Sequence, residues 1–411
     1  MVRTWMLLVL AVLAGLLACC VTISSARVRP GIEVLLEDSL ACVMGRRLGL
    51  VTNQTGIDGE GRSTIRRLHE RRDLRLLRLF SPEHGLDGSR PAGETVRDEI
   101  HGPTGLPVSS LYQGSRAVEP TLLAGLDVVL FDIQDIGLRP YTYTSTLAEV
   151  MKGARRADVE VIVLDRPNPL GGWRVAGLTL DPAFASFIGP YPVPYLPGMT
   201  VGELARLFNE AFGIGCRLKV IPMSGWSRAM TFVDTGLPWV PTSPNVPTWD
   251  TPLAMSITGP LGELGAVSIG IGTASPFWVA GSDQLDGNHL AERFNDAQLP
   301  GLRAQPWTWT PSSGSWNGRT CRGIRLLVTD WSVVDPGGAQ LALLEILSQE
   351  LDSLASRGSV NQRRMFDKAM GTDQVRLALE GGGGMELLRR KLGLDDKAWR
   401  DLRRPYLLYP D

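Results

Sequence analysis

The sequence lacks the motifs by which most enzymes bind nucleotides, phosphates or zinc. The first turn between an apolar run and a helical segment, residues 52–56, reads Thr-Asn-Gln-Thr-Gly instead of G-x-G-x-x-G, which argues against a dinucleotide. There is no P-loop and no G-x-S-x-G turn. Four histidines without an H-E-x-x-H pattern give little support for zinc, although Asp132 and Asp135 could hold a hard cation through oxygen. We expect neither a cofactor nor a metal.

Cysteine and net charge are also scarce. Two of the five cysteines lie near the N-terminus, and the other three, Cys42, Cys216 and Cys321, are far apart. An odd number of separated cysteines excludes a full disulfide framework but leaves room for one bridge. The 42 basic and 43 acidic residues give a formal net charge of −1, so the protein has no overall positive charge to attract nucleic acid. We expect a small-molecule or glycan ligand and no nucleic acid partner.

The N-terminal segment, residues 1–27, predicts export. Residues 5–23 are almost wholly apolar, follow Arg3 and precede a polar Ser-Ser-Ala-Arg stretch, as in a secretory signal. A Leu-Leu-Ala-Cys stretch ending at Cys19 resembles a lipoprotein box, which would place the lipidated protein on a membrane in the periplasm or at the cell surface. Cleavage after Ala26 and retention as a membrane anchor are the alternatives.

Apolar runs alternate with segments of helical spacing in the first half of the chain. Runs 48–52, 74–80, 126–131, 159–164 and 217–221 predict strands, and residues 63–72 and 145–157 predict helices. This alternation predicts an α/β domain with a mostly parallel sheet over residues 28–250. Residues 251–411 alternate less regularly and predict a smaller α+β domain. Glu203 fits a capping box with Thr200 better than it fits catalysis.

Polar side chains follow four of the predicted strands. In open parallel sheets, ligands bind beyond the carboxyl ends of the strands, so these side chains should converge on one crevice. The run 74–80 leads into Ser-Pro-Glu-His-Gly, where Pro82 stops the strand and places Glu83 and His84 on a loop. The other strand ends carry Asn53 and Gln54; Asp132, Gln134 and Asp135; and Asp165, Arg166 and Asn168.

Carboxylates dominate these strand ends, which indicates hydrolysis of a glycosidic bond. That reaction needs a protonated carboxyl and commonly a second carboxylate. Glu83 is the candidate general acid, because neighbours can desolvate a side chain at a strand end; the alternative is an exposed loop glutamate. Tyr141 and Tyr143 offer rings for sugar faces, unless they pack beneath the next helix, and Arg139 could bind an acidic substituent.

These motifs resemble the bacterial exo-β-N-acetylmuramidases of the NamZ family. The match covers residues 48–411 and includes segments 50–56, 80–85, 131–137, 164–169, 198–204, 243–245 and 406–409. The resemblance implies a Rossmann-like catalytic domain without a dinucleotide, a smaller C-terminal domain, and a site between them. It also implies exo-action: release of a terminal N-acetylmuramic acid from the non-reducing end of peptidoglycan fragments, with Glu83 as the catalytic glutamate. The lactyl carboxylate of that sugar gives Arg139 or Arg166 a partner.

The chain departs from the family in its second half. The family's Glu-Gly-Thr-Asn corresponds to Glu-Leu-Gly-Ala at residues 263–266, and its Gly-Arg-Gly-Thr to Gly-Ile-Gly-Thr at 270–273. Two alternatives therefore stand beside muramidase activity: a non-catalytic glycan-binding protein of the cell surface, and a hydrolase of another acidic amino sugar. The second carboxylate is Asp135, Asp132 or Glu263. We expect Glu83, His84 and Asp135 to be catalytic, and the substrate to be bound by Asn53, Gln54, Asp132, Gln134, Arg139, Tyr141, Tyr143, Asp165, Arg166, Asn168 and Glu263.

Overall fold

A seven-stranded sheet organises the first half of the chain in the computed structural model, which describes residues 27–91, 93–94, 97–112, 114, 116–381 and 383–411. The predicted signal, with Cys19, lies outside the described residues except for its last position. Over the described ranges, no helix has both the length and the apolar character needed to cross a bilayer.

The elements of the first half confirm the predicted alternation. The helices are α1 Gly31–Asp38, α2 Thr64–His69, α3 Thr142–Ala157 and α4 Val201–Glu210. The strands are β1 Arg47–Thr52, β2 Arg75–Ser81, β3 Glu99–Ile100, β4 Pro107–Ser110, β5 Val128–Asp132, β6 Glu160–Leu164, β7 Ala176–Thr179, β8 Pro194–Leu196 and β9 Leu218–Ile221. Strands β7 and β8 form a separate two-stranded sheet.

The order of the main sheet is β3-β4-β2-β1-β5-β6-β9, and β3 alone runs antiparallel to its neighbour. The chain moves from β1 toward β2 on one side and later returns to place β5 on the other side of β1, with Thr52 paired to Asp132. Such a reversal of strand order opens a crevice at the carboxyl ends of the two central strands. The predicted polar segments after β1 and β5 therefore flank the same crevice.

Both faces of the sheet are covered by helices, which explains why its central strands read as continuous apolar runs. Val129 and Phe131 of β5 belong to the apolar cluster that includes residues of α3 and α4. Val128 and Leu130 point the other way, into the cluster that includes residues of α1 and α2. The alternation of side chains along a strand thus joins both helical layers to one rigid platform.

The second half contains a smaller antiparallel sheet packed among helices, as the α+β prediction requires. The strands, ordered β10-β12-β11, are β10 Val279–Ser282, β11 Leu302–Trp309 and β12 Cys321–Val328. The helices are α5 Thr251–Glu263, α6 Gly287–Asp296, α7 Pro336–Glu350, α8 Val360–Met370, α9 Gln374–Gly381 and α10 Met385–Arg403. Cys42, Cys216 and Cys321 are free thiols, so the single bridge that their number allowed is not formed.

The last residues of the chain return to the main sheet. Arg403, at the end of α10, donates to the carbonyl oxygens of Gly172 and Pro197. The Tyr409 hydroxyl donates to Asp165 Oδ2 over 2.5 Å, and its ring lies edge-on against Trp226. The C-terminus therefore supports the carboxyl end of β6, and the boundary between residues 250 and 251 stays a sequence prediction.

Candidate active site

The loop after β2 holds Glu83 close to the protein and leaves it 6% exposed. The next residue, His84, has a φ of 73°, in the left-handed region that side chains other than glycine seldom adopt. Its Nδ1 lies 2.6 Å from the Arg90 carbonyl oxygen, and the Arg90 amide donates to the His84 carbonyl. His84 therefore fixes the loop that carries Glu83.

Three segments of the chain bind the Glu83 carboxylate. The Thr142 hydroxyl donates to Oε2 over 2.6 Å, and the Gly93 amide donates to Oε1 over 2.9 Å. Thr142 is the first residue of α3, so the positive end of that helix lies beside the carboxylate. The Tyr112 hydroxyl also bonds to Glu83; burial, and then this negative neighbour, raise the pKa of Tyr112 to about 12. The Thr142 and Tyr112 hydroxyls can each donate or accept a hydrogen bond, whereas the Gly93 amide can only donate.

The two predicted tyrosines on either side of Thr142 are buried and bonded to protein atoms. The Tyr143 hydroxyl donates to the Thr242 carbonyl over 2.7 Å and accepts from Asn53 Nδ2 over 3.0 Å. The Tyr141 hydroxyl donates to Thr242 Oγ1 over 2.8 Å, and the two rings meet edge-on with centroids 4.8 Å apart. They hold the proline-rich segment near residue 242 against the end of β1.

Gln54 contributes to the same attachment through its amide nitrogen, which donates to the Pro241 carbonyl over 2.8 Å. Gln134 binds across the crevice in a similar way, because its Nε2 donates to the carbonyls of Asp135 and Pro167. Both amides thus join loops to one another.

Asp135 is the most perturbed carboxylate of this group. It is buried, its Oδ1 accepts the Gly137 amide over 2.7 Å, and its Oδ2 has no hydrogen-bond partner among the described residues. Removal from water disfavours the charged form and raises the pKa of Asp135 to about 7. Its negative charge also opposes ionisation of Tyr141, whose pKa is raised mainly by burial.

Asp135 should therefore make the stability of the protein depend on pH. The folded pKa of about 7 lies above the ordinary value of 3.8, so the stabilisation is complete below about pH 4 and is lost as the pH rises through 7. We expect the free energy of unfolding of the wild type to fall by on the order of 2–4 kcal/mol relative to Asp135→Asn between these limits. Urea titrations of both proteins from pH 4 to pH 8 measure this difference; parallel curves would show that the carboxyl ionises normally.

Asp132 and Arg166 form a buried ion pair at the end of β5. The carboxylate accepts from Arg166 Nε over 2.6 Å and from Nη2 over 2.9 Å, and Thr64 Oγ1 donates to it over 2.5 Å. Asp132 is fully buried and Arg166 nearly so. Both carboxylate oxygens are thus bonded to protein donors that come from α2 and from the loop after β6.

Asp165 and Asn168 are buried residues of the loop after β6. Asp165 accepts from the Thr200 hydroxyl over 2.6 Å, from the Gly202 amide over 2.8 Å and from Tyr409, and burial raises its pKa to about 6. A Cβ on Gly202 would come within 2.7 Å of the Asp165 carboxyl carbon, so glycine allows α4 to begin against this side chain. Asn168 donates to the Met199 carbonyl over 3.0 Å.

Arg139 joins the first half of the chain to the second. Its Nη2 donates to the Ala369 carbonyl over 2.8 Å and its Nη1 to the Lys368 carbonyl over 3.2 Å, both in the last turn of α8. A cation is favourable at this negative end of a helix. Burial lowers the pKa of Arg139 to about 10, still far above neutrality. Its guanidinium therefore fixes the loop before α3 to the end of α8.

A cavity of about 320 Å³, here called the central cavity, lies between the two halves of the chain. Its first-half walls include Pro140, Ile188 and Tyr195; its second-half walls include Glu263, Ile271, Phe277 and Trp316. Burial raises the pKa of Glu263 above its ordinary value.

The structure therefore sorts the predicted residues into groups. Glu83, His84, Asn53, Tyr141 and Tyr143 form one connected set around Thr142, and Glu263 lies on the second half of the chain, in the central cavity. The remaining predicted residues join loops, helices or the C-terminus: Gln54, Asp132, Gln134, Asp135, Arg139, Asp165, Arg166 and Asn168.

Sequence reasoning missed two residues that bind Glu83. Thr142 lies between Tyr141 and Tyr143, which were both predicted to bind substrate. Its position could therefore have indicated a role, although a threonine side chain alone does not. Tyr112 follows β4, and no motif surrounds it. Within the described ranges, no group of three or more His, Cys, Asp or Glu side chains could hold a metal ion.

Two family models and three known proteins match this chain. A model described as exo-β-N-acetylmuramidase NamZ, N-terminal, matches residues 48–250, and one described as the C-terminal part matches residues 255–409. The peptidoglycan β-N-acetylmuramidase NamZ of Bacillus subtilis (strain 168) is 38% identical over 391 residues, which cover 94% of this chain and 93% of that protein.

Crystal structures of two DUF1343 family proteins from Bacteroides fragilis NCTC 9343 are similar to the fold. One is 35% identical with a TM-score of 0.88, and the match covers 93% of this chain and 99% of that one. The other is 26% identical with a TM-score of 0.72, and covers 94% and 100%. The similarity thus extends over both halves of the chain.

Proposed function

Because this chain belongs to the exo-β-N-acetylmuramidase NamZ family and is thus a glycoside hydrolase, we propose that it releases terminal N-acetylmuramic acid from the non-reducing end of peptidoglycan fragments, with Glu83 as general acid. The Bacillus subtilis relative is named for the same class of bond in peptidoglycan.

The connection of Glu83, through Thr142, to a wall of the central cavity is the observation that carries this proposal. Pro140 lines the cavity and lies two residues before Thr142, which donates to Glu83. Consecutive Cα atoms are about 3.8 Å apart, so the Cα atoms of these two residues are at most about 8 Å apart. Glu83 is therefore bonded to a residue whose near neighbour in the chain forms part of one wall of the cavity.

A second route connects the same carboxyl to the cavity. Ile188 is a wall residue, and the ring of its neighbour Phe187 packs against Tyr112 with centroids 6.1 Å apart. Tyr112 in turn bonds to Glu83. Two segments thus connect Glu83 to first-half walls of the central cavity, which supports its proposed role.

The cavity suits one sugar ring better than a chain. Its volume of about 320 Å³ is at the lower end of the range for small-molecule sites, roughly 300–1,000 Å³. Tyr195, Phe277 and Trp316 supply aromatic surface for the apolar face of a sugar. A site of this size supports removal of one terminal residue at a time.

The proposed reaction follows from these positions. Glu83 gives its proton to the glycosidic oxygen, and the bond to the anomeric carbon breaks with its electron pair going to that oxygen. Positive charge develops on the sugar ring, and water then adds to the anomeric carbon while its proton passes to the second carboxylate. Of the three candidates for the second carboxylate, Glu263 lines the central cavity, whereas Asp132 and Asp135 are not among its walls. The Asp132 carboxylate accepts hydrogen bonds from Arg166 and Thr64.

We also propose that the protein is exported, with lipidation at Cys19, cleavage after Ala26 and retention of the segment as a membrane anchor as the alternatives. The apolar segment at residues 5–23 supports export, and peptidoglycan lies outside the cytoplasmic membrane. Mass spectrometry of the mature protein from the native cell envelope distinguishes a lipidated Cys19 from a free N-terminus further along.

A hydrolase of another acidic amino sugar is the second candidate. Ile271, at the position where the family's Gly-Arg-Gly-Thr stretch has arginine, lines the central cavity and offers no charge to a substrate. An apolar side chain at this position would favour a different substituent on the sugar.

The test is incubation of the purified mature protein with a chromogenic β-N-acetylmuramide. We expect release of the chromophore together with N-acetylmuramic acid, identified by mass spectrometry. Release from the matching glucosaminide or from another acidic amino sugar, but not from the muramide, would favour the second candidate. Saturable binding without release would identify a glycan-binding protein and overturn the proposed enzyme.

A further inference from the structure

We propose that a second cavity, here called the side cavity, binds a carboxylate on the part of the glycan that lies beyond the released sugar. This inference rests on the proposed function. It adds a subsite that extends the contact between enzyme and substrate past the scissile bond.

The side cavity adjoins the central cavity. It has a volume of about 340 Å³, and its walls include Leu264, Asp283, Gln284, Arg319 and Arg357. Trp316 lines both cavities. Leu264 directly follows Glu263 of the central cavity, so their Cα atoms are about 3.8 Å apart. A ligand chain that leaves the central cavity on this side meets the side cavity next.

Arg357 supplies an uncompensated positive charge. Its Nη1 donates to Gln284 Oε1 over 2.9 Å, and its Nε donates to the Asp352 carbonyl over 2.7 Å. These neutral acceptors hold the guanidinium in place without neutralising it, and no ion pair is formed by Arg357 within the described part of the chain. Its Nη2 remains for a ligand.

The other two charged residues that line the side cavity, Arg319 and Asp283, form an ion pair. Arg319 donates to Asp283 Oδ2 over 2.5 Å and lies over the Trp316 ring at 4.1 Å from its centroid. One paired arginine and one unpaired arginine leave the cavity with an excess of one positive charge. A guanidinium has donors spaced to bind both oxygens of a carboxylate, so an acidic group is the ligand that this wall fits.

The proposed substrate carries such a group at a regular interval. Its sugars alternate, so a second N-acetylmuramic acid follows two residues after the terminal one and brings a lactyl carboxylate. Peptides attached to that carboxylate in intact peptidoglycan carry carboxylates of their own. Either source supplies the same chemistry, and the substrates below distinguish them.

The experiment compares the wild type with Arg357→Gln on four substrates: the chromogenic muramide, the muramic acid–glucosamine disaccharide, the peptide-free tetrasaccharide and the peptide-bearing tetrasaccharide. We expect Arg357→Gln to raise KM about tenfold for a tetrasaccharide at low salt, with unchanged kcat, and to leave the two shorter substrates unaffected. Because Arg357 is exposed, the effect should shrink when the salt concentration rises from 0.01 M to 0.5 M.

Arg303→Gln is the matched control. It removes one exposed arginine from the same half of the chain, and Arg303 lines neither cavity. Its kinetics should equal those of the wild type on all four substrates. Thermal unfolding of both variants checks that the fold is intact.

Each result has one meaning. An effect on the peptide-free tetrasaccharide identifies the lactyl carboxylate, and an effect confined to the peptide-bearing one identifies the peptide. If the wild type hydrolyses the chromogenic muramide while Arg357→Gln leaves KM unchanged for both tetrasaccharides, the side cavity is not a subsite and the proposed function stands. If the wild type hydrolyses no muramide at all, the proposed function fails and this subsite fails with it.

Discussion

Replacement of Glu83 by glutamine should lower kcat for the chromogenic muramide by about 10²–10⁴-fold and change KM little. Glutamine preserves the size of the side chain: its Oε1 can still accept from the Gly93 amide and its Nε2 can donate to the Thr142 hydroxyl, but it cannot give a proton to the departing oxygen. The substitution therefore removes the chemical step and keeps the site intact. Steady-state kinetics with the purified variant, together with its thermal unfolding, measure both effects.

Glu94→Gln provides the control for this experiment. Glu94 lies on the same loop, eleven residues further on, and its exposed side chain is 3.8 Å from Arg90. We expect wild-type kinetics from this variant. If Glu83→Gln kept more than a tenth of the wild-type kcat, Glu83 would not be the acid, and Glu263→Gln would then be the next variant to examine.

Replacement of Asp132 by alanine should lower the free energy of unfolding by about 3–5 kcal/mol. The substitution leaves the Arg166 guanidinium buried without its anion, and it also removes the acceptor of the Thr64 hydroxyl. The cost of an uncompensated buried charge is much larger than the value of an ion pair at the surface. Urea unfolding followed by circular dichroism measures the change.

Asp73→Ala is the control for this loss, because Asp73 pairs with Arg71 at 2.6 Å on the surface. Solvent screens that pair, so we expect almost no change in the free energy of unfolding. A destabilisation of Asp132→Ala no greater than that of the control, combined with a raised KM, would instead assign Asp132 to substrate binding. The experiment thus decides between the sequence prediction and the structural role.

The elements of the fold were accessible from sequence because their signals are local. Runs such as residues 161–164 are apolar at every position, since both faces of a central parallel strand are covered. The capping box at Thr200 and Glu203 is confirmed, and both of its hydrogen bonds span three residues. Periodicity and caps depend on neighbours within a few residues, so the chain displays them directly.

The environment of the site depended on contacts that no local pattern records. Thr142 and Glu83 are 59 residues apart, and Tyr409 and Asp165 are 244 apart. Asp132 and Asp165 both follow the end of a strand, and this position predicted that they would bind substrate. In the fold, Asp132 is bonded to Arg166 and Asp165 to Tyr409. Which partner satisfies a polar group is decided by packing, because burial without a partner is costly.

The sequence by itself determined the parallel sheet, the direction of its polar ends and the position of Glu83 at one of them, since strand period, proline and glycine act within a few residues. Only the tertiary structure decided that Arg139 binds the end of α8, that Glu263 faces the first half of the chain across a cavity, and that Arg357 keeps an unpaired charge beside it. Those three facts join segments more than 60 residues apart along the chain, where only folding brings charges and cavities together.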